Sequence, residues 1–268
     1  MGWRSWNLFG RNVNQTLLEQ IQDAMVSRGR SVGGVPTSLL DLGYSDVGLD
    51  DAWQRVDSGP NGEGYHDKAG YPIIDLTTFP DMGAMVRRAH GLNLTAGWYG
   101  NNCISADMNT SVAHFIGDVA TFRQLDFDGY KLDSCGGQKD IALWSNLLNS
   151  TGRPVVVENC HNGPYYPEPS YRPDRGPYCP FNFYRVSVDV EVLYASIFGV
   201  NLPAMLPFTK AATGTGTGVD APLSYPGCWA CVYNSEPATR APTPLTHLPP
   251  TTLQLPGHAR GRRRAGPS

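Results

Sequence analysis

Asp133 and Asp189 are placed for a reaction that uses two carboxylates. Each closes an alternating run that opens with a cation, Lys131-Leu132-Asp133 and Arg185-Val186-Ser187-Val188-Asp189. Strand side chains two positions apart share a face, so each cation and its acid point the same way. A neighbouring cation keeps a carboxylate ionised, which suits Asp133 to act as a nucleophile. Asp189, partly buried and near the Asp133 charge, is suited to hold a proton as general acid. Cleavage of a glycosidic bond needs two acids in these opposite states. Asp50, Asp51 and Glu158 finish other apolar runs and are candidate acceptors for sugar hydroxyls. The competing reading of Asp50-Asp51 is an aspartate capping the next loop. The same acids could hold a metal ion, but His161 is the one histidine beside them, and Lys131 and Arg185 would repel a cation. The expectation is no metal.

Such acids must be carried on elements that converge. Apolar runs over 1–6, 44–50, 94–99, 128–133, 154–158 and 183–189 read as strands, several ending in a polar residue. Between them lie helical patterns over 15–28, from Met82 to Gly91, and over 111–125, 139–150 and 190–199. Asn14 is the expected N-cap of the first, and Met82, Met85, Val86 and Ala89 form the inward face of the second. This alternation predicts an α/β fold, a (β/α)8 TIM barrel with about six clear strands. A length of 268 residues fits one such barrel, which typically takes about 250. Residues 30–43 read as a plain connection. The Gly-rich stretch 57–72 is too polar for core and is expected to rim the pocket, with His66 a solvated loop residue. Residues 211–220 are low in complexity, and Pro, Thr, Arg and Gly dominate from Glu236 onward. The expected division is a barrel over 1–230 and a disordered or aberrant tail over 231–268.

A net charge of −3 gives no footprint for nucleic acid, and no run reaches the roughly 20 apolar residues of a membrane span. No signal peptide is visible at the start of the chain. Trp3, Trp6, Trp53, Trp98 and Tyr99 lie near the strand ends, either as stacking platforms for sugar rings or as large core residues. Of the six cysteines, Cys103 and Cys135 follow neighbouring strands and could be bridged. Cys160 and Cys179 flank a loop that a bridge would close, and Cys228-x2-Cys231 stands alone, which argues against zinc. Sequons at Asn14, Asn93, Asn109 and Asn149 fit a secretory history, with Asn93 expected to enter a buried strand.

At these residues the chain resembles glycoside hydrolase family 27, the α-galactosidases and α-N-acetylgalactosaminidases. Met1-Gly2-Trp3-Arg4-Ser5-Trp6-Asn7 is similar to the family opening MGWNSWN, and Leu49-Asp50-Asp51-Ala52-Trp53 to IDDCW. Lys131-Leu132-Asp133-Ser134-Cys135 resembles the nucleophile segment K-x-D-x-C, and the run from Arg185 to Asp189 the acid/base segment R-x-[ST]-x-D. The resemblance implies a retaining hydrolysis without cofactor, with Asp133 as nucleophile and Asp189 as acid/base. It implies Trp3, Asp50, Asp51, Tyr99, Lys131, Glu158 and Arg185 as the sugar-binding set, and disulfides Cys103–Cys135 and Cys160–Cys179. An acid at Glu158 favours galactose over N-acetylgalactosamine, and small α-galactosides or oligosaccharides are the implied partners. The family also implies a secreted, lysosomal or vacuolar location. After Tyr225-Pro226-Gly227-Cys228-Trp229-Ala230 the chain departs from the family's PDMLEVG-like continuation, and the aspartate expected there is missing. The expectation is an incomplete barrel that hydrolyses α-galactosides or survives as a catalytically silent galactoside-binding remnant.

Overall fold

The computed structural model describes residues 2–160, 180–184, 194–201 and 203. In chain order it contains β1 (Gly2–Arg4), α1 (Trp6–Phe9), α2 (Gln15–Val26), β2 (Arg30–Val32), β3 (Val35–Thr37) and β4 (Asp46–Gly48). These are followed by α3 (Met82–Gly91), β5 (Thr95–Gly100), α4 (Val112–Leu125), β6 (Gly129–Asp133) and α5 (Ile141–Ser150). Then come β7 (Val156–Cys160), β8 (Phe183–Tyr184) and α6 (Tyr194–Ser196). One sheet runs β1-β4-β5-β6-β7-β8, with every described pair parallel. Strands in sequential order with helical crossovers build up a β/α barrel, and the sheet is curled as part of one.

Arg4 demonstrates the curl. In a flat sheet β1 and β7, four spacings apart, would be about 19 Å from each other. The Arg4 guanidinium nevertheless donates to Glu158 Oε2 at 3.0 Å and lies 3.3 Å from Asp46 Oδ2. Its path crosses Gly48 and Gly97, register partners on β4 and β5, where an added Cβ would collide with the guanidinium. Glycine is needed here for space. Gly97→Ala is expected to destabilise the chain by about 1–3 kcal/mol, the usual cost of overpacking, as measured by urea unfolding.

The helices follow their sequence signals closely. Asn14 Oδ1 accepts from Leu17 N at 2.9 Å, capping α2. Asp81 caps α3 through Ala84 N at 2.8 Å, and Met82, Met85, Val86 and Ala89 are all buried. Phe115, Val119 and Phe122 of α4 and Ile141, Trp144 and Leu148 of α5 complete the layer beneath the sheet. Trp53 and Trp98 are fully buried with ring centroids 4.1 Å apart, so these two are core residues.

Several expectations need correction. Residues 30–37 form an antiparallel hairpin, turned by Gly33 and Gly34 at φ 58° and 83°. Asn93 does not enter a strand; it is exposed, at φ 59°, in the turn before β5. Strand β7 continues to Cys160, two residues past the expected end. Stretch 57–72 is partly core, since Tyr65 and His66 are each 1% exposed. The expected helix over 190–199 is described only from Tyr194, as a short α-turn continued by a π-turn over Ile197–Asn201. The expected tail, 231–268, lies outside the described residues.

Candidate active site

The C-terminal ends of β4, β5, β6 and β7 open on a cavity of about 290 Å³. Its lining includes Trp6, Asp50, Asp51, Tyr99, Lys131 and Asp133. Asp133 is fixed at both oxygens, Oδ2 by the Tyr99 hydroxyl at 2.9 Å and Oδ1 by Ser134 N at 2.6 Å. Burial raises the Tyr99 phenol well above its ordinary value, and the Asp51 and Asp133 charges raise it further. Tyr99 therefore keeps its proton and donates. The Asn101 side-chain amide donates to the Asp133 carbonyl, holding the strand end as well.

Lys131 corrects the expected pairing. Its ammonium donates to Asp50 Oδ2 at 2.6 Å, so its ion-pair partner is Asp50 and Asp133 is held by neutral donors. The cause is the curl, which brings the β4 end across to β6. Burial disfavours the Lys131 charge, but Asp50 and Glu158 outweigh it and raise the ammonium above its usual value. The ammonium also lies 5.1 Å from the Tyr99 ring centroid, within cation–π range. Asp50 N in turn donates to Ser5 Oγ at 2.9 Å.

Asp51 organises the neighbouring loop. Its Oδ2 accepts from Cys103 N at 2.9 Å and Ile104 N at 3.0 Å, and its Oδ1 from Ala52 N at 2.8 Å. Burial raises its carboxyl; these amides pull it down, and nearby Asp50 adds to the rise. Cys103 and Cys135 form a disulfide with Cα atoms 4.7 Å apart, tying that loop to the segment beyond Asp133. The loop closes over 32 residues of sequence, so removing both sulfurs is expected to cost about 4 kcal/mol on the chain-entropy model. Denaturation of Cys103→Ser/Cys135→Ser checks this.

Other expected site residues lie elsewhere. Trp3 packs against Phe9, ring centroids 6.0 Å apart, and Trp6 lines the cavity in its place. Glu158, inside β7, pairs with Arg4, and Cys160 is the β7 residue that lines the cavity. Arg185, Asp189, His161 and Cys179 lie outside the described residues. Ser5 and Trp6 were recoverable from the same opening motif, two and three residues from Trp3. Arg4 carried no such signal, since its partners are assembled only by the curl.

No family model matches the chain. An α-galactosidase of Cyamopsis tetragonoloba is 30% identical over 172 residues, 61% of this chain and 38% of the relative. Alpha-galactosidase 2 of Arabidopsis thaliana is 31% identical over 172 residues, 61% of this chain and 39% of that protein. Over this stretch the chain is similar to these α-galactosidases. It spans less than two-fifths of the length of these two relatives. A solved Bacteroides fragilis structure, carrying the provisional name α-galactosidase, matches at TM-score 0.55 and 23% identity. It covers 77% of this chain and 44% of that one, and bears on the fold alone.

Proposed function

We propose that the protein is a retaining α-galactosidase that hydrolyses terminal α-galactosyl groups through Asp133 and Asp189. The observation that carries the reading is Asp133, anchored at both oxygens on the wall of a cavity at the strand ends. Its carboxylate attacks the anomeric carbon as the glycosidic C–O bond breaks, and Asp189 gives the leaving oxygen a proton. Asp189 then takes a proton from the water that releases the sugar. Asp50 and Lys131 present a buried, charge-balanced pair to sugar hydroxyls, and Trp6 offers an aromatic edge. Asp51 and Tyr99 hold the nucleophile's surroundings in register.

The disulfide and the exposed asparagines of all four sequons, Asn14, Asn93, Asn109 and Asn149, support passage through an oxidising, glycosylating compartment. Galactoside binding without turnover is a second reading, favoured by the missing aspartate after Ala230. One experiment separates them. The chain is incubated with aryl α-galactoside and aryl α-N-acetylgalactosaminide, and the first sugar released is examined by proton NMR. Early α-galactose from the galactoside alone is the expected result. Early β-galactose would contradict retention, faster release from the amido sugar would reverse the specificity, and saturable binding without release would leave the silent remnant.

A further inference from the structure

A second polar cluster lies outside the cavity. His66, 1% exposed, donates from Nδ1 to Asp107 Oδ2 at 2.7 Å, and its Nε2 is 3.1 Å from Asp118 Oδ2. His114 stacks on it with ring centroids 4.2 Å apart, its Nδ1 3.3 Å from the same Asp107 oxygen. Three loops or helices meet here: His66 comes from stretch 57–72, Asp107 from the loop after β5, and Asp118 and His114 from α4. Two histidines around one carboxylate could suggest a metal. Asn109 argues for a proton instead. Its Oδ1 accepts from Ser111 N, so its Nδ2 must face His114 Nε2, at 3.2 Å. His114 therefore accepts at Nε2 and carries its hydrogen on Nδ1, toward Asp107, where a metal would need a lone pair.

Asp107 belongs to the loop whose Cys103 and Ile104 amides hold Asp51 and whose Asn101 holds the Asp133 carbonyl. The backbone ties it further, with Gly137 N donating to Asp107 O at 2.9 Å. We infer that His66, bridging Asp107 and Asp118, is a positioning residue that latches the 101–107 loop and through it sets Asp51 and Asp133. The inference deepens the proposed function, since the purpose of the fixed acids rests on that reading, while the latch itself does not.

The charges around the ring fit a latch made by an imidazolium. Burial alone would lower the His66 value, but Asp118 and Asp107 outweigh it and raise it to about 9. Burial lowers His114, and the His66 charge lowers it further, so this second ring stays neutral. Tyr65, on the same stretch, is held protonated by burial and adds no charge. Because the folded value exceeds the 6.5 of a free imidazole, the latch is complete below pH about 6.5 and is lost as pH rises through about 9.

Amide hydrogen exchange near neutral pH tests the latch without requiring turnover. In His66→Ala, the Cys103 and Ile104 amides are expected to exchange at least tenfold faster, with Val47 in β4 unchanged. Asp118→Asn keeps the His66–Asp107 bond and should give a smaller, equally local acceleration; it carries the comparison if His66→Ala does not fold. Unchanged rates at Cys103 and Ile104, or equal acceleration at Val47, would overturn the inference. NMR titration of the wild-type His66 ring should give a midpoint near 9, and a midpoint at or below 6.5 would overturn it too. Absence of hydrolysis would remove the proposed function and leave both readouts intact.

Discussion

Asp133→Ala is expected to abolish turnover of aryl α-galactosides, whatever the leaving group, because no covalent glycosyl-enzyme can form. Asp189→Ala should behave differently. Substrates with good leaving groups need little protonation, so their first step should survive while release slows by roughly 10²–10⁴-fold. The intermediate then accumulates, and azide, which attacks without a general base, should restore turnover. The check is a burst-phase assay with nitrophenyl and alkyl galactosides, with and without azide. Equal losses for both substrates and no azide rescue would remove Asp189 from the acid/base role. Activity surviving in Asp133→Ala would be more damaging, because Asp133 is the cavity acid held by Tyr99 and Ser134.

A large stability effect is expected at Lys131. Its side chain is 10% exposed and that of Asp50 3%, at 2.6 Å from one another. Removing one member of such a pair strands the other charge in a low-dielectric interior, at a cost of about 3–5 kcal/mol. Lys131→Met should therefore lower the unfolding free energy by that amount. Lys131→Met/Asp50→Asn should recover much of the loss, since no unpaired buried charge remains. Urea unfolding of both single variants and the double variant gives the coupling directly. A Lys131→Met loss below about 1 kcal/mol would mean that the pair is solvent-screened like a surface bridge.

The legible parts of this fold were those set by local chemistry. Asn14 and Asp81 cap their helices as their residue types suggest, and the apolar spacing of α3 matches its buried face. The parallel strands and the Cys103–Cys135 bridge followed from alternation of elements and from cysteines beside strand ends. What escaped depends on tertiary approach. Lys131 and Asp133 share a strand face, yet Lys131 is taken by Asp50 from two strands away, which only the curl permits. Arg4 and Glu158 are 154 residues apart and meet for the same reason. His66 sits in a Gly-rich stretch that looks solvated, and its burial depends on two aspartates from other segments. The hairpin is the exception, because Val32-Gly33-Gly34-Val35 carried a two-residue turn signal within the sequence.

The central claim is that Asp133 is the nucleophile. A mechanism-based inactivator with α-galactosyl configuration, followed by peptide mass spectrometry, tests it most directly. The expected result is one glycosyl adduct on the peptide carrying Asp133, absent when galactose is present in excess and absent in Asp133→Ala. An adduct on Asp50, Asp51 or Glu158, or unlabelled protein that still hydrolyses the substrate, would contradict it.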